Sequence, residues 1–172
     1  MLRLIGALLL LAGTGGYSFC CCMEMRRRLN CLHEMKRMYE LLVSQIDYCM
    51  AAFPEACRMT SGDVQEPFGT MLTAIYEEAE SGSGKPFPQI WEEQTKRLSP
   101  QSALKRSDQR LLTEFSRSLG YADGELQKQA FAKVISELTA EIQNAKAHMA
   151  EREKLIMSFG VMGGLLVVII LL

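Results

Sequence analysis

The sequence predicts an all-α fold, a six-helix bundle held between an N-terminal and a C-terminal transmembrane helix. Two apolar segments without Asp, Glu, Lys or Arg lie at residues 4–23 and 155–172. A spanning helix needs about 20 mainly apolar residues, with a range of about 17–25. Between these segments apolar residues recur at helical spacing, and no stretch alternates with a period of two over a strand's length. We therefore predict spans at 1–23 and 155–172 and a polar domain at 24–154.

The first apolar segment could instead be a cleaved signal peptide. Its charged region holds only Arg3 and the amino terminus, and its apolar stretch is longer than a signal peptide usually has. The basic run Arg26, Arg27 and Arg28 that follows is typical of a stop signal rather than of a mature N-terminus. These features favour a retained anchor.

Basic residues flank the two spans on their domain side. Arg26, Arg27 and Arg28 follow the first span, and Arg152 and Lys154 precede the second, whereas the outer ends offer Arg3 alone. Lys and Arg close to a span bias that side towards the cytoplasm. We therefore expect a cytoplasmic domain with both termini outside.

The helices of the domain follow from apolar periodicity and turn residues. One heptad-like stripe comprises Leu32, Met35, Tyr39, Leu42, Ile46, Cys49 and Phe53, and another comprises Phe131, Ile135, Leu138, Ile142, Ala145 and Met149. Pro54 is expected to end the first helix and to begin a short one. Three more helices are marked by Phe68–Ala79, by Ile90–Leu98 with Pro88 in the first turn, and by Leu111–Leu119 with Ser107 or Asp108 as cap.

Composition excludes several function classes. The domain holds every charged residue except Arg3, so 18 basic and 20 acidic residues give it a net charge of −2. A nucleic-acid binder would show a net basic footprint. The six cysteines have no C-x-x-C pair outside the run Cys20, Cys21 and Cys22, so no zinc site, metal or cofactor is predicted. Whether that run is modified is left open. We expect Cys49 to be a small core residue.

The segment Gly82-Ser83-Gly84-Lys85 has the look of a phosphate-binding loop but lacks its requirements. The first glycine of that motif would fall at Ala79, and Pro86 stands where Ser or Thr is needed. We interpret the segment as a turn. With two histidines and no plausible nucleophile–base spacing, neither a catalytic residue nor a small-molecule substrate is predicted.

Glycines in both apolar segments are suited to close packing of two helices in a membrane. Gly160 and Gly164 have small-xxx-small spacing, and Gly163 adds to that face. Small residues let helix backbones approach in a bilayer, where no hydrophobic driving force acts between helices. Glycine is also generally frequent in spanning helices, and that explanation stays open.

Several motifs along the chain resemble one known family. They are the opening Met1-Leu2-Arg3-Leu4-Ile5-Gly6-Ala7, the stretch Gln45-Ile46-Asp47-Tyr48 followed by Phe53-Pro54-Glu55-Ala56, the pattern Leu119-Gly120, Asp123 and Gln127, and Phe159-Gly160 through Gly163-Gly164. Together they resemble the stage III sporulation protein AB family of endospore-forming bacteria. The sequence departs from the family pattern at Cys49, where glycine is expected, and at the cysteine run.

The resemblance implies an adaptor rather than an enzyme. The family belongs to the transport complex between mother cell and forespore, and its soluble domain is similar to the cytoplasmic domain of the inner-membrane platform protein of type II secretion and type IV pilus systems. The implied partners are a secretion-type ATPase, other stage III sporulation membrane proteins and the lipid bilayer. The implied location is the cell membrane on the mother-cell side of the forespore envelope.

Two other functions compete with the adaptor. One is a generic two-span scaffold or sensor with a helical interaction domain and no ATPase link, and the other is a membrane-anchored enzyme. For the motif Leu119, Gly120, Asp123 and Gln127 we expect an architectural role. Gly120 can take the left-handed conformation that ends a helix, and Asp123 can cap the next one.

Overall fold

The computed structural model describes the backbone of residues 2–98, 102–118 and 124–171, and the side chains of residues 20–98, 102–116, 126–152 and 155. Within these ranges every regular element is an α-helix. The six helices are α1 (Leu2–Cys49), α2 (Phe53–Ser61), α3 (Phe68–Glu80), α4 (Phe87–Leu98), α5 (Arg106–Ser118) and α6 (Gly124–Leu171). The predicted fold class, all-α with six helices, is confirmed for this part of the chain.

The chain divides into two compact units. One comprises Asn30–Ile142, and the other comprises Met1–Leu29 with Gln143–Leu172. Among the residues whose side chains the structure describes, no helix is long and apolar enough to cross a membrane. Both predicted spans lie almost entirely outside those residues, so the spans and the domain boundaries at 23 and 155 stay predictions.

Within the unit Asn30–Ile142, successive helices pack on one another. The helix α2 contacts α3, α3 contacts α4, and α4 contacts α5. The first and last helices also meet here, because the rings of Tyr39 on α1 and Phe131 on α6 lie 6.2 Å apart. An ion pair between Asp47 and Lys128, at 3.2 Å, joins the same two helices farther along.

Aromatic side chains form the centre of this unit. Tyr39, Trp91 and Phe115 are fully or almost fully buried. The ring of Phe115 lies 4.8 Å from that of Tyr39 and 5.4 Å from that of Trp91, both in edge-on geometry. The indole Nε1–H of Trp91 donates to the carbonyl oxygen of Leu112 at 3.0 Å, so this buried polar group is satisfied. The cluster ties α1, α4 and α5 together.

The predicted apolar stripe of α1 is correct over its first half only. Leu32, Met35, Tyr39 and Leu42 are buried, as the periodicity predicts, and Met38 is buried beside them. Cys49, expected in the core, is exposed. The prediction was wrong there because α1 ends at Cys49, so the stripe has left the packed region one turn earlier. Phe53 belongs to α2, where its ring lies 4.9 Å from that of Phe87.

The structure confirms two of the predicted helix starts and corrects a third. Pro54 and Pro88 each occupy the first turn of a helix, where the missing N–H costs nothing. For α5 neither Ser107 nor Asp108 is the N-cap, because the helix begins at Arg106. Instead Asp108, in the first turn, accepts the backbone N–H of Lys105 through Oδ2 at 2.9 Å. A carboxylate that reaches back in this way is one half of a capping box.

The helices α2 and α3 approach closely at Gly69. A Cβ atom there would lie 2.9 Å from the backbone oxygen of Ser61 and 3.3 Å from that of Val64. Neither oxygen can move without moving the chain, so only glycine fits. Glu66 strengthens the start of α3 by accepting both the N–H and the hydroxyl of Thr70.

Candidate interaction surface

A shallow apolar groove lies beside the C-terminal end of α1. Val43, Ile46 and Asp47 of α1 and the following Met50 form one wall, and Gln127, Lys128 and Phe131 of α6 form the other. Its volume is about 200 Å³, and its lining is mainly apolar. A groove of this size accommodates one large apolar side chain from a partner.

The backbone at the rim of the groove is strained. Met50 has a φ of 51°, the left-handed region, and it is the residue that directly follows α1. Glycine is the usual residue in that conformation because a Cβ atom costs about 1–2 kcal/mol there. Met50 is also 85 % exposed, so packing inside the protein does not explain why methionine occupies the position. Strained residues retained in this way are concentrated at functional sites.

Other side chains extend the apolar surface around Met50. Tyr48 is 86 % exposed, and Leu126, near the start of α6, is 46 % exposed. Cys49 lies between Tyr48 and Met50 as an exposed free thiol. Tyrosine and methionine are enriched in protein–protein interfaces relative to the rest of a protein surface. The composition of this surface is therefore that of an interface centre rather than of an ordinary solvated helix end.

An ion pair joins the two walls of the groove. Lys128 Nζ lies 3.2 Å from Asp47 Oδ1, with the two side chains 59 % and 30 % exposed. This pair offers a partner both a cation and an anion next to the apolar walls. Such mixed charge fixes the register of a bound partner more than it adds affinity.

The segment Gly82–Lys85, which resembles a phosphate-binding loop in sequence, is a turn, as predicted. It lies between α3 and α4, and Gly82 and Gly84 both have positive φ, at 67° and 70°. Lys85 Nζ is bound by two carboxylates, Glu78 at 3.0 Å and Glu93 at 2.9 Å. These hydrogen bonds raise the pKa of Lys85, with the larger contribution from Glu93. The ammonium group therefore joins α3 to α4.

A protein-family model described as stage III sporulation protein AB matches residues 3–172. The chain belongs to this family. It is 24 % identical over 172 residues to stage III sporulation protein AB of Bacillus subtilis (strain 168), and the match covers all of both chains. A solved structure of a stage III sporulation protein AB superposes with a TM-score of 0.67 at 20 % identity and covers 72 % of this chain and 97 % of the solved one. Family membership supports a role in sporulation, with other sporulation proteins as partners.

The family motif is divided between the groove and parts of the chain that are not described. Gln127 lines the groove, next to Lys128. Leu119, Gly120 and Asp123 lie outside the described residues, so their architectural role stays a prediction. The helix bounds on either side are Ser118 and Gly124.

The other predicted site residues concern the membrane. Gly160, Gly163 and Gly164 belong to the helical backbone of α6, but side-chain contacts in that segment lie outside the described residues. Arg26 and Arg27 are exposed on α1 and Arg28 is half-buried. Periodicity alone did not identify Tyr48 and Met50 as an exposed surface. The signal in the sequence was the run of apolar residues that continues beyond the last core position before Pro54.

Proposed function

We propose that this protein is a membrane-anchored adaptor in the transport complex that endospore formation requires, and that it links a secretion-type ATPase to membrane components. It is not itself an enzyme under this proposal. Two spans hold it in the cell membrane, with the domain in the cytoplasm on the mother-cell side of the forespore envelope. The basic flanks Arg26–Arg28, Arg152 and Lys154 support this orientation.

The observation that carries the adaptor role is the groove with Met50 at its rim. A left-handed, 85 % exposed methionine next to an exposed tyrosine costs stability and gains nothing inside the chain. A partner that buries Tyr48 and Met50 would explain both. We assign the groove to the ATPase, whose contact would be one apolar side chain seated between Ile46 and Phe131.

Binding of the purified ATPase to the full chain in detergent tests this assignment. Met50→Glu should weaken binding by about tenfold or more, because the assignment makes Met50 a central hot spot, and loss of such a residue costs about 2 kcal/mol or more. The matched control is Met59→Glu, since Met59 is an exposed methionine on α2, outside the lining of the groove. Equal loss of binding in the two variants would contradict the assignment.

Alkylation of Cys49 gives an independent readout. This exposed thiol should react readily in the free protein and slowly once the ATPase is bound. Cys57 provides the internal control, because its burial raises the pKa of the thiol and keeps it unreactive in both states. Unchanged alkylation of Cys49 in a saturated complex would place the ATPase elsewhere.

The cellular test is a deletion. Loss of the protein should block sporulation after engulfment and leave vegetative growth intact. A C-terminal reporter that is active only outside the cytoplasm should be active. Normal sporulation of the deletion strain would remove the functional proposal, and a reporter active only in the cytoplasm would remove the topology alone.

ATP turnover distinguishes the adaptor from an enzyme. The purified chain should not hydrolyse ATP, since Lys85 is held by Glu78 and Glu93 in a turn. Hydrolysis that disappears in Lys85→Ala would contradict the adaptor proposal directly.

A further inference from the structure

Five exposed basic side chains flank the connection between α4 and α5. We call this set the basic patch; it comprises Lys96, Arg97, Lys105, Arg106 and Arg110. Lys96 is paired with Glu92 at 2.8 Å. Among the described residues, no acidic side chain lies within ion-pair distance of Lys105, Arg106 or Arg110. This positive charge is therefore available to a ligand outside the chain, although the unit as a whole is rich in acidic residues.

The basic patch lies at the end of the unit where α1 enters. The backbone of Ala103 makes a hydrogen bond to the thiol of Cys31, and the charge of Asp108 is close enough to affect the same thiol. Cys31 is the second residue of the unit Asn30–Ile142. The groove is at the other end of the same stretch of α1, beyond Val43. One unit thus carries an apolar surface at one end and a cationic surface at the other.

The predicted first span ends only eight residues before Cys31. On a helix these residues rise about 12 Å. The side chains of Lys and Arg are long enough to cover part of that distance. Electrostatic attraction acts over a Debye length of about 8 Å at physiological ionic strength. The cytoplasmic leaflet carries anionic lipids that attract basic segments next to a span.

We propose that the basic patch binds anionic lipid headgroups of the membrane that anchors the chain. This inference rests on the proposed topology, in which the predicted first span ends eight residues before Cys31 on the cytoplasmic side. The nearby Glu34 does not oppose it strongly, since its carboxylate accepts the N–H of Gln65 and pairs with Arg37.

Amide hydrogen exchange of residues 102–110 tests the proposal. The full chain is reconstituted in nanodiscs of phosphatidylcholine, with or without phosphatidylglycerol. Exchange of this segment should be slower by about fivefold or more in the anionic discs, since each basic residue near such a surface contributes on that scale. High salt should remove the difference. Peptides from the aromatic core of the same sample report whether the fold is intact.

The triple variant Lys105→Gln, Arg106→Gln, Arg110→Gln should lose the difference between the two kinds of disc. Lys133→Gln is the matched control, because Lys133 is an exposed cation of α6, 71 % accessible, away from the connection. It should behave like the natural protein. A control variant that loses the effect equally would show a general charge effect and overturn the proposal.

Three outcomes overturn the proposal outright. The first is equal exchange in both kinds of disc. If the reporter still places the domain in the cytoplasm, the proposed topology is not affected by that result. Slow exchange produced by soluble glycerol phosphate in neutral discs would assign the patch to free phosphate. Slow exchange seen only after the ATPase is added would assign it to a protein. A domain outside the cytoplasm removes the proposed function, whereas lipid binding is still decided by the discs.

Discussion

The aromatic core and the groove are neighbours that share Phe131, yet their environments are opposite. In the core, Tyr39, Trp91 and Phe115 are removed from water and their rings contact one another at 4.8–6.3 Å. In the groove, Met50 and Tyr48 expose most of their surface. The core is built from interior positions of four helices, whereas the groove surface follows the point where α1 stops.

This difference teaches how the unit separates stability from recognition. The hydrophobic contribution of the core is large and insensitive to what binds outside. The exposed apolar groups and the strained backbone at Met50 lower stability, so a change there should make the fold more stable and the adaptor weaker. Four variants test this separation.

The largest expected effect is in the core. Phe115→Ala should lower the free energy of unfolding by about 3–5 kcal/mol, because it removes a ring that contacts Tyr39, Trp91 and Phe131 and leaves a cavity. Chemical denaturation of the full chain in detergent measures the loss. Below the transition, ATPase affinity should be unchanged. A loss of affinity while the fold is intact would show that core and groove are coupled.

Tyr39→Phe should change stability in the opposite direction. The buried hydroxyl of Tyr39 has no hydrogen-bond partner among the described residues, and an unsatisfied polar group of this kind costs about 1–3 kcal/mol. The variant should therefore be more stable by ~1 kcal/mol in denaturation at neutral pH. A less stable variant would show that the hydroxyl is satisfied after all.

The same residue makes a pH prediction. Burial raises the pKa of Tyr39 well above its usual value, so the folded chain keeps a proton that the unfolded chain loses above about pH 10. Proton binding by this group leaves stability unchanged below that pH and lowers it as the pH rises further, because only the unfolded chain then gives up the proton. Stability should fall less steeply above pH 10 in Tyr39→Phe. Equal slopes would mean that Tyr39 ionises normally in the fold.

Met50→Gly should separate the two properties at the groove. Glycine takes the left-handed conformation without strain, so the variant should gain up to ~1 kcal/mol despite the added freedom of its unfolded chain. ATPase binding should weaken in the same protein. A glycine variant that is more stable and binds normally would show that methionine at this position does not serve the partner.

The smallest effect is expected from the ion pair across the groove. Lys128→Gln removes the partner of Asp47, but an exposed pair of this kind contributes about 0.2–1 kcal/mol or less. Thermal unfolding should barely move, while the salt dependence of the ATPase association rate should become weaker. An unchanged salt dependence would remove Lys128 from the contact.

Periodicity predicted the fold well because burial repeats with the helix. Leu32, Met35, Tyr39 and Leu42 were assigned to the core from spacing alone and are buried. In the second stripe Phe131, Leu138 and Ile142 are buried, but Ile135 is only half-buried and its neighbour Val134 is buried instead. Spacing failed at Cys49 since it does not report where a helix stops. The capping role of Asp108 was misplaced by three positions for a similar reason, because a carboxylate in the first turn can reach back to the backbone N–H of the N-cap residue Lys105. The groove needed the structure, as Gln127 and Met50 are far apart in sequence and meet only through the packing of α1 on α6.

The meeting of α1 with α6 also sets the order in which the bundle can form during synthesis. The pairs α2 with α3, α3 with α4 and α4 with α5 are contiguous, so each can form as soon as it leaves the ribosome. Tyr39 must wait for Phe131, some 90 residues later. At translation rates of about 5–20 residues per second, the apolar stripe of α1 stays incompletely covered for roughly 5–20 s. Burial of the α1 stripe in the nascent chain therefore depends on the last helix. A chain whose synthesis stops before residue 131 would leave part of its core exposed.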